Sequence, residues 1–138
     1  MSADANTPSA GDVELPIDHD SRAFWDGCRE RRLMITRCMA CGAWLHPPRH
    51  MCPRCWSRDV VAEEVSGVGV VYTFVIDATP DARPLGVIEL TEQAGLHLTA
   101  PIIGCPADAV VIGMAVALTW ADYRGVPVPA FEPRGARR

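Results

Sequence analysis

The sequence predicts a mostly β chain with a short N-terminal helix, a metal ribbon on four cysteines and a small closed barrel of five strands. Three observations predict it. Two CxxC pairs, Cys38–Cys41 and Cys52–Cys55, are separated by ten residues. After Arg58 the sequence breaks into short apolar runs punctuated by Gly and Pro, the texture of a small barrel. No periodic segment after residue 60 is long enough for the crossover helix of a parallel sheet.

The bulk numbers agree. A chain of 138 residues, 49% apolar and 22% charged, has the size and composition of one or two small globular domains. It holds no apolar run of the length that crosses a bilayer, so no membrane partner is expected. The opening MSADANTPSAGDVELPIDHD lacks a basic region followed by an apolar one, so no secretory leader is expected. The setting predicted is cytoplasmic, where disulfides are rare, which argues against reading the cysteines as a disulfide knot.

Residues 1–17 are rich in Ser, Ala, Asp and Pro and are expected to form a disordered tail. Residues 18–34 form the helical segment. Asp20 or Ser21 can cap a helix over about 21–32, with Phe24, Trp25 and Cys28 on one stripe. Gly27 weakens it. The Phe-Trp pair reads as a docking face.

Residues 35–60 form the ribbon. Leu33–Arg37 reads as its first strand and Ala43–His46 as its second, ended by Pro47-Pro48, which cannot donate to a ladder. Each CxxC is a tight knuckle, and two knuckles present four thiolates in a tetrahedron, which suits zinc. Gly42 follows the first knuckle, where the turn favours positive φ. Cys38, Cys41, Cys52 and Cys55 are therefore the candidate ligands of a structural Zn2+. Iron fits the same four sulfurs. A thioredoxin-like redox pair would need one CxxC opening a helix, and a catalytic zinc would keep an open position. Four cysteines fill the shell, so His46 and His50 are expected at the surface or packed in the ribbon, with Trp44 and Trp56 packed over the metal.

Charge is uneven. Residues 21–58 carry eight arginines against two acids, while residues 59–138 are net −5. Two readings stay open. The arginines offset the charge of about −2 that four thiolates leave around a divalent metal, or they meet an anionic partner such as a nucleotide phosphate.

Residues 61–133 form the barrel, followed by a tail at 134–138. In GVGVVYTFVID, Val68, Val70, Tyr72, Phe74 and Ile76 alternate onto one face. LGVIELTE and LHLTAPIIG are the next strands, joined by a tight turn at Gln93-Ala94-Gly95, and Pro101 marks an edge or a bulge. In GMAVALTWAD, Met114, Val116, Leu118 and Trp120 share a face, and PVPAFEP is the last strand. His97 reads as a satisfied strand residue, and Cys28 and Cys105 as packing residues. No GxGxxG or GxxxxGK[ST] loop occurs, and SGVGV opens a strand where glycine allows bending. No Ser-His-Asp or Cys-His constellation presents itself, so no catalytic residue is assigned.

The ordered combination is more specific than any single motif. Phe24-Trp25-Asp26-Gly27, the two knuckles around Pro47-Pro48-Arg49, Ser66-Gly67-Val68-Gly69, Val71-Tyr72-Thr73-Phe74, Ile112-Gly113-Met114 and Phe131-Glu132-Pro133 resemble the DUF35 family of acyl-CoA-associated proteins. The resemblance spans roughly residues 20–133. It implies an N-terminal helix, a rubredoxin-like zinc ribbon and an OB-fold. It also implies an accessory subunit that sits beside a thiolase-like or MaoC-type enzyme in lipid, steroid or aromatic acyl-CoA metabolism. The zinc would be structural and catalysis would belong to the partner. On that reading the ribbon and helix dock on the partner, and the arm of an acyl-CoA runs in a groove between ribbon and barrel, with Phe24, Trp25, Arg37 and Arg49 as its CoA-binding residues. Two departures from the family pattern are Arg31, where relatives often have glycine, and Cys28, where they often have an aliphatic residue.

Two other functions fit ribbons and barrels of this kind. Single-stranded nucleic-acid binding is disfavoured by the net acidity of residues 59–138 and by a chain-wide total of two tyrosines and three phenylalanines. A self-sufficient enzyme using the metal would need the open coordination position that a fourth cysteine removes.

Overall fold

A computed structural model describes residues 18–76 and 83–134. The tail expected at 1–17, and all of the C-terminal tail beyond Arg134, lie outside the described residues. Among the described residues the chain runs through one helix, α1 (Arg22–Arg29), then three short strands, β1 (Met34–Cys38), β2 (Trp44–Leu45) and β3 (Val60–Glu64). Five more follow: β4 (Val68–Val75), β5 (Leu85–Leu90), β6 (His97–Pro101), β7 (Ala115–Tyr123) and β8 (Val126–Pro133), with a 3₁₀ turn at Ala107–Ala109. None of the described helices is long and apolar enough to cross a membrane.

Helix α1 is shorter than the expected 21–32 because its end is actively turned. Arg31 takes φ 56°, and Arg31 N–H and Arg32 N–H bond back to the carbonyls of Cys28 and Gly27. This two-bond closure satisfies the last carbonyls of the helix and needs a left-handed residue at its pivot. Glycine takes that conformation without strain, which is the physical reason Arg31 stands out. Arg31→Gly is expected to be tolerated or stabilising by up to about 1 kcal/mol, since the left-handed cost of a residue with a Cβ is about 1–2 kcal/mol and glycine's extra chain entropy offsets part of it. Thermal melts of the two chains check this. Gly27 is buried, and a Cβ there would collide with Met34 and lie 2.7 Å from the Arg32 carbonyl oxygen. The glycine that weakens the helix on paper lets the chain fold back against it. At the other end Ser21 holds the cap position without a side-chain cap bond. Its hydroxyl accepts from Asp18 N–H, while Asp18 accepts from Ser21 N–H. That bond to the carboxylate, and the one with the Ser21 hydroxyl, hold Asp18 below its usual range.

The first sheet has the order β2-β1-β3, all antiparallel. The boundary drawn between residues 60 and 61 thus falls inside β3, whose five residues all pair with β1. Strand β1 serves two cores. Leu33, just before it, and Ile35 are buried with the barrel residues, whereas Cys38 is buried with Ala43, Leu45 and Cys52.

The second sheet has the order β6-β5-β4-β7-β8 and curls until Ile102, just past β6, bridges Phe131 of β8 in parallel. Ile103 N–H bonds to the Phe131 carbonyl at 2.8 Å across this seam. The result is a nearly closed five-stranded barrel, which α1 covers at β8. Gly95 supplies the positive φ (82°) that the β5–β6 turn requires.

The expected face of β4 is corrected. The inward residues are Gly69 and Val71, while Val70 and Tyr72 point outward. The pairing with β5 then shifts between Val71 and Thr73, and beyond this bulge Phe74 packs on the core. Both faces of VGVVYTFV are apolar, so alternation alone could not say which is buried, and a bulge exchanges them partway. Of the face expected around β7, Met114, Val116 and Leu118 pack on the core, and Trp120 is not among the residues packed there.

Candidate functional site: a four-sulfur centre beside an apolar groove

The two knuckles face one point. The sulfur atoms of Cys38, Cys41, Cys52 and Cys55 all lie within 4.8 Å of one another, the one such cluster of potential ligands among the described residues. Cys38 Sγ lies 3.6 Å from Cys55 Sγ, and Cys41 Sγ 3.7 Å from Cys52 Sγ. A tetrahedron with metal–sulfur bonds of about 2.3 Å has edges of about 3.8 Å. The sulfur set therefore fits a tetrahedral metal ion and fills its shell. Backbone groups prepare it: Cys41 N–H points at Cys38 Sγ (3.5 Å) and Arg54 N–H at Cys52 Sγ (3.4 Å). The backbone N–H groups of Cys41 and Ala40 help to pull the Cys38 thiol down to about 7. Against the lowering effect of the Ser57 N–H, burial and the three neighbouring sulfurs carry Cys55 up to about 12. Four thiolates at this spacing repel one another, and a divalent cation at their centre resolves the conflict.

The histidines between the knuckles stand outside the sulfur set. His50 Nδ1 sits 3.6 Å from Asp20 Oδ2 on the surface. His46 is half-buried against Phe24, and desolvation holds its imidazole below the usual value. The two tryptophans do not pack over the metal. Trp44 packs on the barrel core and carries the Arg37 guanidinium 4.6 Å above its ring. Trp56 is 74% exposed. Knuckle spacing says nothing about where a flanking ring points.

The ribbon is held to the barrel by a residue expected only to form a turn. Gln93, in the β5–β6 turn, accepts from Trp44 N–H (2.9 Å) and donates to the Trp44 carbonyl (3.0 Å), extending the ribbon edge with an amide side chain. Only its length and its turn position hint at this. Gln93→Ala is expected to cost about 1–3 kcal/mol, two bonds at about 0.5–1.5 each. Gln93→Glu should cost more, because it sets a carboxylate against a carbonyl. Urea denaturation of both variants checks the order.

Between helix, ribbon and barrel lies a groove of about 560 Å³, lined by Phe24, Trp25, His46, Pro47, His97, Leu98, Thr99, Pro101, Val128 and Pro129. Two of the four residues expected to meet a CoA thioester, Phe24 and Trp25, lie on it, edge to face at 5.1 Å. Arg37 does not: it is engaged with Trp44, the Gly42 carbonyl and Glu63. Arg49 lines a separate concavity beyond Pro48. His97 is not the satisfied residue expected. Its Nε2 is buried without a partner, as is Nδ1 of His46, while its ring stacks on Tyr72 at 4.4 Å. Cys28 is fully buried and burial pushes its thiol up to about 11, which keeps it protonated and unreactive. Cys105 packs in part on the barrel core.

Residues 25–61 match the family model of the ChsH2 rubredoxin-like zinc ribbon domain, and residues 62–121 that of the ChsH2 C-terminal OB-fold domain. The chain is 34% identical over 126 residues to a probable enoyl-CoA hydratase alpha subunit of Thermomonospora curvata, covering 86% of this chain and 39% of that relative. It is 35% identical over 101 residues to a DUF35 domain-containing scaffold protein of Methanocaldococcus jannaschii, covering 67% of this chain and 70% of that one. Among solved structures, a chain of the Ltp2–ChsH2(DUF35) aldolase superposes with a TM-score of 0.79 at 32% identity, over 87% of this chain and 98% of that one. A DUF35 protein of Sulfolobus solfataricus superposes with a TM-score of 0.63 at 14% identity, over 83% of this chain and 85% of its own, a likeness of fold.

Proposed function

This chain belongs to the ChsH2-type DUF35 family of zinc-ribbon/OB-fold proteins, and from that premise we propose that it is a non-catalytic subunit shaping the CoA-thioester site of a thiolase-like or hydratase partner. One observation carries the reading. The likeness to the aldolase named for Ltp2 and ChsH2 extends over 98% of the matched chain, so the fold of this chain is that of a chain in an enzyme named for two proteins. The relative named as a hydratase subunit supports a thioester partner of either kind, and the chain spans 39% of it.

The groove supplies the physical role. Phe24 and Trp25 give it an apolar wall, and Pro47, Pro101 and Pro129 give it rigid ones. A partner closing over it would exclude water and hold an acyl-thioester arm in one orientation, which lowers the entropy cost of the partner's chemistry without adding a reacting group. Arg49 lines the neighbouring concavity beyond Pro48, and the role proposed for it is to meet the phosphates of the thioester. Arg37, engaged with Trp44 and Glu63, takes no part in the groove. The metal on the four cysteines is proposed to be zinc in a structural role, in a reducing cytoplasmic setting. Iron in its place would colour the protein. The proposal is tested by co-expressing the chain with a candidate thiolase-like or hydratase subunit and purifying by a tag on either one. A stoichiometric complex supports it. A chain that elutes alone and leaves the partner's turnover unchanged sinks it. A gel shift with single-stranded DNA at moderate salt tests the nucleic-acid alternative.

A further inference from the structure

The two knuckles are built alike but end differently. In each, the residue after the second cysteine donates its N–H to the carbonyl of the first: Gly42 to Cys38 at 2.8 Å, and Trp56 to Cys52 at 2.9 Å. Both are left-handed, with φ 82° and 67°. Glycine adopts this conformation freely. For a bulky residue it is an outlier, of the kind that gathers at functional sites. Burial does not account for it, because Trp56 is the most exposed large apolar side chain among the described residues. The indole face is open to solvent and free to meet a ligand.

Its surroundings say what. Trp56 and Pro48 are walls of a concavity of about 460 Å³ with Arg49 on its edge. A second concavity of about 260 Å³ shares Arg49 and adds Arg58. Three of the eight arginines of the positive stretch are committed, Arg29 to Asp26, Arg32 to Glu64 and Arg37 to Glu63, and of the five that form no ion pair among the described residues Arg49 and Arg58 line these concavities. The acid of this surface, Asp20, is flanked by His19 at 3.4 Å and His50 at 3.6 Å.

We propose that Trp56, Arg49 and Arg58 form a binding site for a phosphorylated purine nucleotide, the base stacking on the exposed indole and the guanidiniums forking onto phosphate oxygens. The inference rests on the CoA-thioester reading and deepens it. The apolar groove and this cationic concavity meet at adjacent residues, Pro47 lining one and Pro48 the other. The groove takes the uncharged arm of the thioester, and the Trp56 surface takes its adenosine phosphate head.

The test titrates the full metal-loaded chain with adenosine 3′,5′-bisphosphate, with pantetheine and with CoA, following tryptophan fluorescence and calorimetry. The bisphosphate and CoA should both quench Trp56, and pantetheine should not displace the bisphosphate. Trp56→Gly should weaken both by about tenfold or more, the size of one base–aromatic stack, while its melting temperature is unchanged or higher. Arg49→Ala and Arg58→Ala should each weaken binding several-fold. If CoA binds but the bisphosphate does not, or binds Trp56→Gly as well as the natural chain, the nucleotide assignment fails and the CoA reading stands. If neither binds, both fall. A short oligonucleotide that displaces the bisphosphate would assign the surface to nucleic acid and overturn the proposal.

Discussion

Replacing Cys52 with serine is expected to unfold the ribbon and to lower the melting temperature of the whole chain. The ribbon's own buried cluster is Cys38, Ala43, Leu45 and Cys52, with Val60 against it. So small a cluster cannot by itself offset the entropy of ordering the ribbon. A tetrahedral metal supplies much of what is missing, since structural zinc contributes about 10–16 kcal/mol in small modules. Serine leaves three sulfurs and an alcohol that holds its proton. The damage spreads because β1 is shared: Cys38 ends it in the ribbon, while Leu33 and Ile35 are packed in the barrel core. Metal content should fall well below one ion per chain, and protease should cut between residues 38 and 58. A chelator should bring the natural chain to the same state. Acid acts in the same direction, because each ligand thiol must lose its proton to bind, so metal affinity falls as pH falls. A Cys52→Ser chain that keeps its metal and its melting temperature would refute the staple.

Phe131→Ala is expected to cost about 3–5 kcal/mol, the usual range for emptying a buried phenylalanine site. That is a large share of the roughly 5–15 kcal/mol that stabilises a domain. Phe131 is fully buried, the largest such side chain among the described residues. It sits where the barrel closes, with its backbone bridging Ile102 and its carbonyl accepting from Ile103. Truncating it opens a cavity at the seam. Phe131→Leu, which refills part of the space, should cost clearly less. Urea denaturation measures both. A loss below about 1 kcal/mol for the alanine variant would mean that the site collapses easily and that the seam is not a packed core.

What the sequence disclosed follows from how local each feature is. The four sulfurs were legible because knuckle spacing is set by the metal and by nothing distant. Gly42 and Gly95 were legible because a tight turn demands positive φ from a residue beside it. The inward face of β4 was not, since apolar residues fill both faces and the bulge after Val71 reverses them. Gln93 was illegible because its partner, Trp44, is far off in the chain, and no local rule joins a turn amide to a ribbon strand. Trp56 follows a knuckle as Gly42 does, and only the backbone angle and the exposed ring distinguish the two. Of the residues expected at a thioester site, Phe24 and Trp25 line the groove, carried there by one helical face. Arg37 and Arg49 were joined to them by charge alone, and charge does not fix position.

The account as a whole stands on division of labour between this chain and a partner. The most direct test is the turnover of an acyl-CoA substrate by a thiolase-like aldolase or hydratase subunit that co-purifies with it, measured with and without this chain. The account predicts background turnover by this chain alone and a rise in the partner's rate when the two are combined, lost again in Trp25→Ala. Turnover by this chain in isolation, or a partner rate indifferent to its presence, would contradict it.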